Sequence, residues 1–240
     1  MRRMIAIALL AVLAASAGGC FNPFDPRVST ERIASTPAPV PSSASNAVLL
    51  FEWCWKNRGL KEYEELFTDD YRFQFAEADS AGNLYRDVPY TREDELRSAE
   101  GIFVGTADHP AASDIQLDFD NTLIPLNDDR PGKNATWHKS IRTRVDLKVT
   151  LDRGNGPEVN EVHGYAKFYL VRGDSAAIPP ELAQRGFKPD PNRWWIERWE
   201  DETLPSGGTA PAALGRGAGP AAASVQFVET YFGALKVKGR

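Results

Sequence analysis

Apolar and polar positions follow two different periods along this chain, and the change of period divides it into a helical part and a stranded part. From Ala47 to Trp55 every position but Glu52 is apolar, the pattern of a helix buried on nearly all sides. Ser45 or Asn46 can cap it, and Gly59 can supply the left-handed stop. A second short helix is expected over Leu60 to Phe67, ended by Thr68, Asp69 and Asp70, whose short polar side chains favour a turn. A strand over Tyr71 to Phe75 and a turn around Gly82 and Asn83 come next. Thr91 and Asp94 then make a capping-box-like opening, with Asp in place of Glu, for a third helix reaching about Phe103.

Beyond that point the period becomes two. Ile115, Leu117 and Phe119 alternate with polar residues, and Ile141, Val145, Leu147, Val149 and Leu151 alternate with Arg142, Arg144, Asp146, Lys148 and Thr150, so one face of this sheet meets water. Asp152 to Pro157 reads as a Gly-rich hairpin turn into a strand over Glu161 to Arg172. On that strand Val162, Gly164, Ala166, Phe168 and Leu170 share one side, assigned to the core, while His163, Tyr165, Lys167, Tyr169 and Val171 share the other. A last strand over Arg193 to Asp201 is expected to point Trp194, Ile196 and Arg198 inward and Trp195, Glu197 and Trp199 outward. Helices first and antiparallel strands afterwards predict an α+β domain with one sheet curled over a helical layer.

Composition alters this picture at both ends. Arg2 and Arg3 precede an apolar run from Met4 to Ala15, which fits a secretory signal and is too short to span a bilayer. Ala17, Gly18 and Gly19 lead into Cys20, and this resembles the lipobox of bacterial lipoproteins, although Ala17 stands where most carry Leu. The resemblance implies a diacylglyceryl thioether on Cys20 and cleavage before it. Residues 1–19 are then a signal peptide, and 20–45, rich in Pro, Ser and Ala, a lipidated tether. The folded domain is expected over 46–202. From Pro205 to Ala223, 15 of 19 residues are Gly, Ala or Pro, so 203–223 reads as a linker. The short segment 224–240 follows, in which Val225, Val228, Phe232 and Leu235 keep a helical spacing. Both a helix docked on the domain and a fraying terminus fit it.

Charge limits the partners. The chain carries 28 Lys and Arg against 33 Asp and Glu. Without Arg2 and Arg3 the balance is 26 against 33, net −7, with no general attraction for nucleic acid or anionic lipid. Attachment to a membrane would therefore rest on acyl chains at Cys20, two or more of which give stable anchoring. The expected location is the cell envelope, on the periplasmic face, and Phe21 in place of Asp after the cysteine favours the outer membrane. Cys54, inside the apolar first helix, is assigned to the core.

The run Asn57-Arg58-Gly59-Leu60, followed by Tyr63-Glu64-Glu65-Leu66-Phe67-Thr68-Asp69-Asp70-Tyr71, resembles the first helix pair and first strand of the NTF2-like (SnoaL-like) superfamily. The closing Trp194-Trp195-Ile196-Glu197-Arg198-Trp199-Glu200-Asp201 resembles its final strand. The resemblance covers about Asn46 to Glu202. It implies a cone, or cystatin-like roll, of about three helices on a strongly curved, mostly antiparallel sheet, serving as isomerase, dehydratase, cyclase, transport factor or noncatalytic binding module. Fold alone does not choose among these. In the ketosteroid isomerase branch a base follows the Leu-Phe-x-Asp-Asp element and a Tyr donor sits on the first helix. Ungapped counting puts those positions on Phe75 and Glu52, and neither can do that work.

Other chemistry finds no support in the residue pattern. His109, His138 and His163 are scattered, the acidic residues near Asp118 and Asp128 lack a calcium-loop pattern, and no Ser or Cys nucleophile signature occurs. No catalytic residue, metal or cofactor is therefore assigned. Two hypotheses stand. In the first, a noncatalytic binding or interaction domain presents Tyr165, Tyr169, Trp195 and Trp199 on its outer face to a second copy or another envelope protein. In the second, the cone holds a small molecule, or an isomerase, dehydratase or hydrolase site, with Glu52 and Arg198 as polar groups and Trp53, Phe73 and Trp194 as walls.

Overall fold

Ser43 opens the first helix, its hydroxyl accepting from the amide of Asn46 at 3.1 Å, and α1 runs Ala44–Asn57. The stop is one residue earlier than the glycine: Arg58 takes the left-handed conformation, φ 56°. The computed structural model describes residues 36–152, 154, 156–205 and 225–240. Cys20, the signal, most of the tether and most of the linker lie outside the described residues. Residues Pro37–Arg240 form one compact unit.

The second helix, α2, is confined to Leu60–Glu64, because the chain is already extended at Phe67, where β1 (Phe67–Gln74) begins. Thr68, Asp69 and Asp70 belong to this strand and are not a turn. They form an irregular stretch of it, since the pairing with the last long strand shifts between Phe67 and Arg72, while the Asp69 amide donates to the carbonyl of Ala177 at 2.7 Å. A 3-10 turn over Ser80–Tyr85 leads to β2 (Tyr90–Thr91) and α3 (Arg92–Phe103). Thr91 and Asp94 close a reciprocal capping box at the start of α3, the expected arrangement.

Strands β3 (Asp114–Phe119), β4 (Leu126–Asn127), β5 (His138–Asp152) and β6 (Pro157–Arg172) come next, then a short helix α4 (Pro180–Gln184) and β7 (Trp194–Thr203). The sheet has eight strands in the order β2-β1-β7-β6-β5-β3, with β4 on β5 and a final strand, β8 (Gln226–Glu229), on β6. The β1–β7 and β6–β8 pairs are parallel and the rest antiparallel. The long β5–β6 hairpin pairs without a break from His138↔Val171 to Asp152↔Pro157. The fold class is thus α+β, with α1, α3 and the C-terminal helix α5 (Phe232–Lys238) packed on the core side of a curved, mostly antiparallel sheet and the short α4 on its other face.

Strand β7 departs from simple alternation. Leu170 pairs with Ile196, but Tyr169 pairs with Arg198, so Glu197 is an extra residue, a β-bulge that reverses the facing of everything after it. Trp194 and Ile196 face the core as expected. After the bulge it is Trp199 that points inward, fully buried, while Arg198 points outward. Trp195 is fully buried as well, but on the opposite face, in a small cluster with Val171 and Leu182 under α4.

The segment after the linker belongs to the same core. Residues 226–229 form β8 instead of the start of a helix, and α5 runs Phe232–Lys238 with Phe232, Leu235 and Lys236 buried. The folded body therefore does not stop at Glu202. Burial of Phe232 contributes about 2–3 kcal/mol. Docking needs close backbone approach: a Cβ on Gly101 of α3 would lie 1.8 Å from the carbonyl oxygen of Gly239, and one on Gly233 would lie 2.4 Å from the Phe75 ring.

Candidate functional site

The interior of the cone is a packed set of rings. Phe51 of α1 stands 5.0 Å from Trp199 and 5.2 Å from Phe168, Trp55 lies 5.1 Å from Phe232, and Phe73 lies 5.0 Å from Trp199. Most of these contacts are edge-to-face, the arrangement ring quadrupoles favour.

Two charged side chains sit among these rings. Glu95 follows from the geometry of α3: with Ser98, Ala99 and Ile102 it keeps the i, i+3, i+4, i+7 spacing of the buried stripe, so its carboxyl enters the core. Lys236 arrives from α5 and is fully buried. Its ammonium donates to Glu95 Oε1. Tyr63 donates to the same oxygen at 2.6 Å, Tyr71 donates to Oε2 at 3.0 Å, and the Trp55 indole donates to the Tyr63 hydroxyl at 3.3 Å. Burial, reinforced by the Glu95 charge, pushes both tyrosine hydroxyls well above their ordinary range, so they remain donors.

The Lys236 ammonium also lies 4.0 Å from the Trp199 ring centroid, 4.8 Å from Phe73, 5.5 Å from Phe232 and 5.9 Å from Tyr90. Burial pulls it down to about 8, against the upward pull of Glu95 and Asp201. Asp201, buried on β7, holds the start of α5: it accepts from the Gly233 amide at 2.9 Å and from the Thr203 hydroxyl at 2.6 Å, and Thr203 accepts from the Phe232 amide. Burial raises the Asp201 carboxyl to about 6. At the other end of α5, Lys238 pairs with Glu158, and Arg240 pairs with Asp94 at 2.6 Å.

The residues expected to line a cone cavity are not brought together. Glu52 accepts from Lys56 at 2.8 Å and faces the Phe119 amide on β3. Trp53 packs over Gly59, and the amide of Trp194 donates to the Pro41 carbonyl. Phe73 does belong to the interior. Arg198, turned outward by the bulge, binds Glu200 at 3.0 Å and Gln74. Phe73 and Arg198 meet only at an open surface pocket of about 450 Å³ beside the 3-10 turn, lined also by Arg72, Phe75 and Tyr85.

The aromatic outer face is corrected too. Trp195 and Trp199 are both inaccessible, and Tyr169 is covered by Arg130, whose guanidinium lies 4.0 Å above its ring while pairing with Asp128 and Glu197. Only Tyr165 of the four is exposed, with Arg142 stacked 3.7 Å from its centroid. Cys54 is fully buried, and burial, with Glu62 and Glu65, pushes its thiol up. Among the described residues no group of three His, Cys, Asp or Glu side chains is placed to hold a metal, and no helix is long and apolar enough to cross a membrane.

Sequence reasoning missed Glu95, Lys236 and Asp201. A signal for two of them existed, since a charged residue on an otherwise apolar stripe stands out: Glu95 beside Ala99 and Ile102, Lys236 beside Phe232 and Leu235. Asp201 had none, because its inward direction depends on the bulge.

No protein-family profile matches the chain, and no curated protein matches it. Several solved structures are similar to it at low identity. A conserved protein from Planctomyces limnophilus is 16% identical over 67% of this chain and 92% of its own, with a TM-score of 0.42. A candidate scytalone dehydratase from Novosphingobium aromaticivorans is 14% identical over 72% of this chain and 91% of its own, TM-score 0.40. A protein from Kribbella flavida is 11% identical over 65% and 84%, TM-score 0.42. Likenesses at this level describe shape only, and the α+β architecture stands on the chain's own element order and pairing.

Proposed function

We propose that this protein is a lipid-anchored binding module of the cell envelope. It is acylated at Cys20, attached to the periplasmic face of a membrane, the outer membrane favoured, and its α+β domain binds and does not catalyse. The observation that carries the noncatalytic reading is the state of the cone interior. Its carboxylate, Glu95, is shared among Tyr63, Tyr71 and Lys236, and the rings around it are closed over by α5. A general base must reach a substrate proton, and a carboxylate already holding three donors behind a docked helix has no such access. The anchoring reading is supported by the sequence alone: Arg2 and Arg3, the apolar run and the small residues before Cys20.

One observation favours a second reading, in which the cone serves a small molecule. A carboxylate flanked by two tyrosine hydroxyls is a competent recognition or proton-transfer set once the C-terminal segment stands aside. Anchoring is tested by metabolic labelling with a palmitate analogue in a host with lipoprotein maturation. The wild type is expected to take the label and Cys20→Ala to lose it. Equal labelling of the two, or an unlabelled wild type, overturns the anchored reading.

A further inference from the structure

We propose that the cone interior is a recognition site for a primary ammonium group on an unbranched alkyl stem, with Lys236 of the C-terminal segment as its resident occupant. The inference rests on the reading of this domain as a binding module, and it names the ligand class. Two features make the site selective for an ammonium. One is an anion, Glu95, whose two oxygens are fixed by Tyr63 and Tyr71. The other is a cage of ring faces supplied by the body of the domain, Trp199, Phe73 and Tyr90, all within 6 Å of the nitrogen, which attract a cation through their quadrupoles when water is excluded. Phe232, on the same segment as Lys236, completes it only while that segment is docked.

Stability alone does not call for a lysine there. A fully buried ammonium is among the rarest core residues, and apolar residues of similar volume commonly replace a buried ion pair at no cost in stability. The occupant is also carried on a segment that the chain can detach. Thr203 pairs with Gly164 and Gln226 with Glu158 on the same strand, β6, a separation of roughly 20 Å. The residues between them, 204–225, can reach roughly 70 Å. Docking is held by the pairing of β8 with β6, by the caps from Asp201 and Thr203, by the Ser98 hydroxyl on the Lys236 carbonyl at 2.8 Å, by the Lys236–Glu95 pair and by the ion pairs of Lys238 and Arg240 near the surface. An amine ligand would compete with Lys236, and its apparent affinity would be reduced by the fraction of time the segment is docked.

The test uses the full-length, acyl-free chain, so that it does not depend on anchoring. Lys236→Ala removes a propylammonium-sized piece from the cage, and its Tm is expected to fall by about 10 °C. Adding n-propylammonium chloride is expected to restore about 3 °C or more in a saturable way, with no such gain from n-propanol or matched sodium chloride. Equal rescue by propanol would show an apolar cavity that binds without selecting a cation, overturning the ammonium class but not the binding reading. Absence of rescue by either would overturn both.

Should Lys236→Ala not fold, hydrogen exchange on the wild type decides. Pentane-1,5-diamine is expected to speed exchange of the amides of α5 by about threefold or more, and to do so at lower concentration in Gly101→Ala, whose added methyl strikes the Gly239 carbonyl. Unchanged exchange at high amine in both proteins overturns the proposal.

Discussion

The two faces of the sheet hold nearly the same residue types and put them to different uses. Inside, Trp199 and Phe73 ring a fully buried Lys236, and the carboxylate that pairs with it, Glu95, is locked by two phenols. Outside, Tyr165 lies beneath Arg142, which also pairs with Glu202 at the solvent boundary. Cation and ring meet in both places, yet dielectric separates them. Exposed pairs are screened and worth little, whereas a desolvated pair carries a large penalty that only a complete set of partners offsets. The difference teaches where recognition can reside. An open face with satisfied, screened charges presents a polar surface, and the closed interior holds the selective chemistry.

The largest effect that would sharpen this contrast is expected from Trp199→Ala. Losing a fully buried indole that touches Phe51, Phe73, Phe168 and Phe232 should destabilise by about 3–5 kcal/mol, read as a drop in the urea midpoint with little change in slope. A loss below about 1 kcal/mol would mean that Trp199 is not in the interior and that the bulge at Glu197 is misplaced.

An intermediate effect is expected from pH. The folded Asp201 carboxyl is raised by burial to about 6, above its unfolded value of 3.8. Between these values the folded state holds a proton that the unfolded chain does not, so this contribution is absent at pH 7 and is gained as pH falls through 6 towards 4. Burial raises Asp79 as well, which acts in the same direction. Asp94 and Asp128 are partly desolvated, but hydrogen bonds from Thr91 and Arg130 hold them below 3.8, so their stabilisation is lost only at lower pH. Unfolding free energy should therefore rise by about 1–3 kcal/mol from pH 7 to 4.5, and a steady fall across that window would break the account of the α5 cap.

The smallest effect belongs to the outer face. Tyr165→Ala, removing an exposed ring under Arg142, should cost less than about 1 kcal/mol in the same urea measurement. A cost equal to that of Trp199→Ala would erase the distinction between the faces.

Much of the architecture was legible because it rests on local rules. The Thr91–Asp94 capping box and the alternation of β6 follow from a cap and a fixed period and are found where their residues predict, and the apolar run of α1 is helical as expected, although Ser43 caps it in place of Ser45 or Asn46 and Arg58 stops it in place of Gly59. What failed was non-local. One inserted residue at Glu197 moved Trp199 from surface to core and Arg198 from core to surface, with the register shifting against both neighbouring strands, and no composition signal marks such a bulge. Trp195 faces away from the main core as expected, but α4 covers it, and a five-residue helix arriving from elsewhere leaves no trace in the strand's own pattern. The segment after the linker looked equally consistent with fraying because half of it is strand and half helix, so neither period lasts long enough to declare itself.

The C-terminal segment closes the cone through the Lys236–Glu95 contact, and a double-mutant cycle with Lys236→Met and Glu95→Gln tests that closure most directly. A coupling energy of about 2 kcal/mol or more in urea unfolding is expected, with the double variant more stable than the sum of the single losses predicts. Additivity within about 0.3 kcal/mol would contradict it, because two side chains that do not meet in the folded state have nothing to couple.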